Sequence, residues 1–418
     1  MIQTKTPLDK VHQTEVPKVR SVALAYSGGL DSALCVVLLR EKYKAERIVP
    51  ICVDVGQGQD EIDESFHKAK LLGIEPILLD AKEEFTSEWL TTAIRANSNY
   101  NGYPVSTSMT RQLIARRVAQ KAVALGCDAL AEGSSGKGND QYRMHKVFKL
   151  FAPELEILVP VRDFDLTRAE EVELCEHYGV PVTEIVTGGD DKTMWCRSIA
   201  SGAFGLNAAL PDNVWLWYTP PLHAPNEPAI FSLSFAAGLP VALDGEALPL
   251  EAIITRLNVL AGAHGIGKID IFEDGIMGLK SREIYEAPAA QVLIKLHQDL
   301  EQWTLTKDEV QFKKLVDSEW ASKVYHGEWY HPLKADLDAF IERSQNVVNG
   351  TYSVQLYKGT VDILERSSNS GLFFPDVRSI SSASFNQQLC GPAAQIMGLP
   401  WELLARRDHA LQEADISS

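Results

Sequence analysis

The chain has few cysteines and no paired cysteine spacing, no long apolar run and no excess of basic charge. Each absence excludes something. The six cysteines (Cys35, Cys52, Cys127, Cys175, Cys196 and Cys390) are scattered over 418 residues. Without the close pairs of a zinc site or a disulfide framework they fit a reducing compartment, so a cytoplasmic protein with no metal held by its own side chains is expected. No apolar stretch approaches the roughly 20 residues that span a bilayer, and no membrane partner is expected. Against 56 Asp and Glu stand 40 Lys and Arg, a formal charge of −16. Nucleic-acid binding wants clustered cations facing phosphate, so no nucleic-acid partner is expected either. Residues 1–19 mix Lys, Asp, Glu, His and Pro without an apolar core. That composition suggests a flexible extension, not a signal peptide.

What is present starts with Ala25-Tyr26-Ser27-Gly28-Gly29-Leu30-Asp31-Ser32, between the apolar run Val22–Ala25 and the helix-like Ala33–Leu39. Strand, small-residue turn and helix together aim backbone N–H groups and the positive end of a helix dipole at an anion. Gly28 and Gly29 are expected to turn with positive φ and to admit a phosphate close to the backbone. Ser27 and Ser32 add hydroxyls, and Asp31 is a candidate helix cap or ion ligand. The loop lacks the Gly-Lys-Ser/Thr ending of a Walker A motif and the spacing of a dinucleotide fingerprint. It resembles the pyrophosphate loop of the ATP pyrophosphatases, which cleave ATP between its α and β phosphates.

From Val22 to about Val182 strands and helices alternate: strand 47–56, helix 60–72, strand 76–80, helix 109–125, strand 128–132, strand 157–161, helix 168–178. This rhythm predicts a doubly wound parallel sheet, which binds ligands at the carboxyl ends of its strands. Two polar constellations fall at such ends. Tyr103-Pro104-Val105-Ser106-Thr107-Ser108 sets three hydroxyls before a helix, where one is expected to cap it and the set makes a carboxylate cradle. Gly133-Ser134-Ser135-Gly136-Lys137-Gly138-Asn139-Asp140-Gln141-Tyr142-Arg143 crowds lysine, amide, carboxylate and guanidinium into one short loop.

With these three segments in this order, the chain resembles argininosuccinate synthase. The likeness continues in His264–Glu273, in Gly278–Pro288 and in Gly350-Thr351 through Leu356-Tyr357-Lys358-Gly359, and covers roughly residues 20–374. The resemblance implies an ATP-dependent ligation of citrulline to aspartate through a citrullyl-adenylate, with Mg2+ accompanying ATP, in a homotetramer. It implies that Ala25, Tyr26, Ser27, Gly28, Gly29, Leu30, Asp31, Ser32, Ala33, Val53 and Gly133 hold ATP. Thr107, Ser135, Asn139 and Asp140 would hold aspartate; Tyr103, Ser108, Arg143, Ser198, Glu273 and Tyr285 would hold citrulline. Asp31, Lys137, Asp140 and Arg143 are the residues expected to carry the chemistry.

The family pattern is broken in three places. A citrulline-contacting serine is replaced at Gly189, an acidic residue at Ala200, and Phe-Glu by Met144-His145. These departures leave open a related AMP-forming ligase with another ureido or amide acceptor. The expected organisation is an extension (1–19), an α/β ATP-binding domain (20–186), an α+β synthetase domain (187–375) and C-terminal oligomerisation helices (376–418). Within the second half, residues 202–228 read as an irregular connection. Residues 250–260, 310–324 and 333–341 read as helices, 285–300 as an amphipathic stretch and 353–365 as a strand pair. The tail pattern suggests a helix with a second start at Pro400-Trp401.

Overall fold

The computed structural model describes residues 6–181, 191–201, 209–379, 381 and 384–416. The chain divides into two compact units, Met1–Gly371 and Leu372–Ser418. The first unit opens with five parallel strands: β1 (Ser21–Ala25), β2 (Arg47–Asp54), β3 (Ile77–Asp80), β4 (Ala129–Ala131) and β5 (Glu156–Leu158). They lie in the order β3-β2-β1-β4-β5. In β1 successive side chains go to opposite faces, as strand geometry requires. Val22 and Leu24 join one apolar cluster with the helix Leu30–Glu41, and Ala23 joins another with the helix Ser106–Ala124. All three are fully buried. A parallel sheet covered on both faces needs such unbroken apolar strands.

Strand order reverses between β1 and β4, so the switch point where α/β sheets bind ligands lies beyond the carboxyl ends of these two strands. The loop 26–29 leaves β1 there and the loop 132–139 leaves β4. Topology thus brings together two segments a hundred residues apart.

The rest of this unit is antiparallel sheets with helices. β6 (Asp191–Lys192) and β7 (Arg197–Ser201) are followed by β8 (Ala229–Ala236), β9 (Leu239–Leu243) and β10 (Glu246–Ala247). Then come β11 (Lys268–Asp274), β12 (Lys280–Glu286), β13 (Gly350–Tyr357) and β14 (Thr360–Ser367). One sheet runs β11-β12-β7-β6 and the other β10-β9-β8-β13-β14. The amphipathic stretch is the helix Pro288–Thr304, which starts three residues later than its pattern suggests because Tyr285 and Glu286 still belong to β12. It buries Val292, Leu293, Leu296 and Leu300 completely. The helices Lys307–Tyr325 and Pro332–Ser344 follow. Fully buried Glu286 accepts the N–H groups of Leu216, Trp217 and Tyr218 at 3.0, 2.8 and 2.8 Å. It thereby fastens the irregular connection to the sheet.

Two expectations need correction. Residues 7–13, read as part of a flexible extension, form the helix Pro7–Gln13. A Thr6/Asp9 capping box starts it, Val11 is buried, and Lys10 donates to Glu170 at 3.0 Å. A composition rich in charge hid two buried apolar positions, Pro7 and Val11, and a cap. In the second unit the helix Cys390–Ile416 passes through Pro400 without the restart read there. Proline lacks an N–H, so the helix forgoes one ladder bond at that turn.

Candidate active site

At the switch point lies a cleft of about 430 Å³. Its floor is the loop after β1. Gly28 has φ +77°, and a Cβ there would lie 2.6 Å from the Cα of Ser65 in the helix Gln59–Leu71. The glycine therefore permits close approach of a neighbouring helix. Gly29, by contrast, has φ −68° and an extended backbone as the N-cap of Leu30–Glu41, so only the first glycine needs the left-handed region. The Gly29 N–H donates to Ser27 Oγ at 3.3 Å, and Ser32 Oγ donates to the Gly29 carbonyl at 3.1 Å. Gly133 packs against the start of the same helix, where a Cβ would sit 3.1 Å from Ser32 N.

Of the residues expected at ATP, Ala25, Tyr26, Ser27, Gly28, Gly29, Asp31, Ser32, Val53 and Gly133 line the cleft. Leu30 and Ala33 do not. Both are buried in the apolar cluster on the far side of the helix, where the 3.6-residue period places them. Burial and the nearby Cys52 push the Tyr26 hydroxyl up to about 12.

A second constellation surrounds the start of the helix Ser106–Ala124. Its N-cap is Val105, held at φ +46°, and none of the three expected hydroxyls caps it. Instead the Tyr103 hydroxyl accepts the Thr107 N–H at 2.6 Å, and Ser106 shares a 2.7 Å hydrogen bond with Thr193. The Tyr103 and Tyr285 rings stack with centroids 4.3 Å apart. Tyr285 donates to Glu273 at 2.9 Å, Tyr325 donates to the other oxygen of that carboxylate, and Asn139 donates to the Tyr325 hydroxyl at 3.1 Å. Ser198 lies beside Tyr285 in the sheet register. Burial raises Glu273 to about 7, against the pull of its tyrosine donors.

Asp140 joins the two regions. One oxygen accepts from Arg143 Nη1 at 2.8 Å, the other from Arg111 Nε at 2.8 Å. Arg111 also reaches Asp191 of β6 at 2.8 Å. Burial favours neutral Asp140, but the two guanidinium groups outweigh it and hold its pKa low. Arg111 and Asp140 line the cleft, whereas buried Arg143 turns to the tyrosines.

The structure therefore gathers Tyr103, Thr107, Asn139, Asp140, Arg143, Ser198, Glu273 and Tyr285 in one linked group. Ser108 is fully buried with its hydroxyl unpartnered among the described residues, and Ser135 is half-buried at the turn before Asn139. Lys137 is exposed and makes no hydrogen bond or ion pair among the described residues. Gly189 lies outside them, and Ala200 is placed in β7. Met144 lines the cleft, while His145 is exposed. Arg111, Glu132 and Tyr325 were not anticipated. Arg111 follows Thr107 by one helical turn, a spacing that puts both on one face, and Glu132 directly precedes Gly133. Tyr325 carries no local signal, being 182 positions from the Arg143 that donates to its carbonyl.

A five-stranded parallel sheet with a glycine loop over its switch-point cleft defines a nucleotide-binding α/β enzyme. The comparisons narrow this. Residues 21–181 match the family model for the Arginosuccinate synthase N-terminal HUP domain, and residues 189–404 match that for the Arginosuccinate synthase C-terminal domain. The chain is 43% identical to the argininosuccinate synthase of Methanosarcina acetivorans over 373 residues, 88% of this chain and 94% of that one. With its counterpart from Methanocaldococcus jannaschii it shares 42% over 383 residues, 91% and 96% of the two chains. With that from Methanopyrus kandleri it shares 41% over 390 residues, 92% and 99%. The chain belongs to the argininosuccinate synthase family.

Proposed function

We infer that this enzyme joins citrulline to aspartate at the expense of ATP, giving argininosuccinate, AMP and pyrophosphate in arginine biosynthesis. The observation that carries this is membership of the family across both domains, at 43% identity over 88% of the chain. The site's chemistry agrees. A ureido carbon is a poor electrophile, so its oxygen first attacks the α-phosphorus, and pyrophosphate leaves with the electrons of the broken P–O bond. The aspartate amine then attacks the activated carbon and AMP departs. Such a sequence asks the protein for alignment and charge stabilisation, not for a nucleophile.

In this reading the loop 26–29 and the start of Leu30–Glu41 hold the phosphates, and Val53 faces the base. The stacked tyrosines, Ser108, Ser198, Glu273 and Arg143 hold citrulline. Thr107, Ser135, Asn139 and Asp140 hold aspartate, with exposed Lys137 free to meet the leaving pyrophosphate. Four of five paired carboxylates at the cleft are engaged by a cation from elsewhere in the fold: Asp31 by Arg168, Glu61 by Lys192, and both Asp140 and Asp191 by Arg111. Glu64 is paired within its own helix, by Lys68. ATP is proposed to enter as its Mg2+ complex, since a hard cation that keeps its waters and takes phosphate oxygens suits such a lining. The ion supplies neutralisation of the leaving group's charge.

We also propose a homotetramer in the cytoplasm. The second unit leaves Ile396, Met397, Trp401 and Leu403 exposed on one helix, an apolar surface suited to another subunit. Five of the six cysteines are buried free thiols, which fits a reducing compartment. The decisive experiment is pyrophosphate release from ATP by the purified protein. Release that requires citrulline, with argininosuccinate formed on adding aspartate, is the expected result. Turnover only with a different ureido or amide acceptor would overturn the assignment and make Gly189 and Ala200 the specificity residues.

A further inference from the structure

Six carboxylate side chains line the cleft, and five have cationic partners. The sixth, Glu132, has none among the described residues. It sits at the carboxyl end of β4, between the loop after β1 and the loop that carries Asn139 and Asp140, and it is 3% exposed. Its backbone is fixed, with the N–H donating to the Leu158 carbonyl at 3.1 Å. One carboxyl oxygen accepts the Ser134 N–H at 2.7 Å.

A buried acid without a cation, in a cleft that receives a polyanion, has one inexpensive way to exist. It stays protonated, because desolvation and nearby negative charge both disfavour the carboxylate. We propose that Glu132 serves the nucleotide site as a neutral carboxyl group that donates a hydrogen bond to a phosphate oxygen of ATP. This rests on the cleft being the ATP site.

The surroundings agree on the sign. Burial raises Glu132 to about 7, opposed by the Ser134 hydrogen bonds; Asp140 raises it further, and Arg162 lowers it by less. On the helix Leu30–Glu41, the buried Cys35 thiol points at the Glu132 carbonyl, and burial pushes that thiol up so that it adds no charge. Asp31 on the same helix is answered by Arg168, as is Glu171 behind it. Bound phosphate adds negative charge and moves Glu132 further toward its protonated form. ATP binding near neutral pH therefore takes up a proton from solvent. Affinity is fully present below the free-state pKa and falls as pH rises through it, by up to tenfold per unit. A glutamate so placed can donate to a phosphate oxygen, which a paired, ionised carboxylate cannot do.

The test is ATP binding by calorimetry from pH 6 to 8.5, in buffers of different ionisation enthalpy, for the wild-type protein and Glu132→Gln. Glutamine keeps size, neutrality and a donor, so the variant should match the wild type at pH 6. It should then lose about tenfold less affinity by pH 8.5 and take up less of a proton. Titration of the ATP γ-phosphate is common to both proteins and cancels in the comparison. A purely structural Glu132 would leave the proton count and the relative pH profile unchanged, and that outcome overturns the proposal. Should Glu132→Gln fold poorly, the wild type alone decides, since the absence of proton uptake beyond that of ATP refutes it. If the wild type fails to bind ATP at all, the functional assignment falls instead.

Discussion

Arg143 is held by Tyr325 in two ways at once. Its Nε donates to the Tyr325 carbonyl at 2.9 Å, and its guanidinium carbon lies 4.8 Å from the centre of that ring. The planar cation is thus fixed in orientation, leaving its forked edge for Asp140. Tyr325 also donates to Glu273 and accepts from Asn139, so one residue sets the pose of three proposed amino-acid contacts.

Removing only the hydroxyl, Tyr325→Phe, should raise the KM for citrulline about fivefold and change kcat little, the worth of one or two hydrogen bonds. Tyr325→Leu also removes the ring beneath the guanidinium and should cost more in both parameters. Steady-state kinetics on the pair would check this, and an unaltered KM in the phenylalanine variant would exclude the hydroxyl from the site's support.

Gly28→Ala should damage folding as well as nucleotide binding. A left-handed backbone costs a residue with Cβ about 1–2 kcal/mol, and here the added carbon also meets the Ser65 backbone at 2.6 Å. Thermal melting should drop by several degrees, with ATP affinity at least tenfold weaker. A variant with native melting and weak ATP binding would mean that phosphate, not the helix Gln59–Leu71, explains the glycine.

How much of this was legible beforehand follows from where the contacts are made. The sheet was readable because β1, β2 and β4 are built on the apolar runs Val22–Ala25, Ile48–Val53 and Ala129–Ala131, and the helix Arg168–Tyr178 because its capping box is local. The loops at 26–29 and 133–143 were readable as polar clusters at strand ends. Tyr325 and Arg111 were not, since their partners arrive from distant helices and a two-residue strand. Val105 was not either, because nothing local favours a β-branched residue at positive φ over a serine cap.

Stability should fall between pH 5 and pH 8 through Glu273. Burial raises its folded pKa to about 7, above the ordinary value near 4.3 that it takes when unfolded. In that window the folded state binds more protons than the unfolded one. The contribution is therefore complete below the unfolded value and lost as pH rises through the folded one. Glu273→Gln should narrow the difference between melting temperatures at pH 5 and pH 8. An equal difference in both proteins would show that Glu273 is ionised throughout.

Truncation after Gly371 should reduce the mass seen by light scattering, because it removes the exposed apolar residues of the Cys390–Ile416 helix. A truncated protein that kept its full oligomeric mass would place the subunit contacts in the first unit.

Asp140 has two oxygens, and each is already committed: one to Arg111 in the cleft, the other to Arg143 among the tyrosines. A ligand that draws either cation away alters the charge felt by the other. If ATP draws on Arg111 and citrulline on Arg143, the two bindings are coupled, and whatever factor one adds to the affinity of the other must be returned in kind. A change at Asp140 itself, which holds both cations, would then register in the affinities for both substrates.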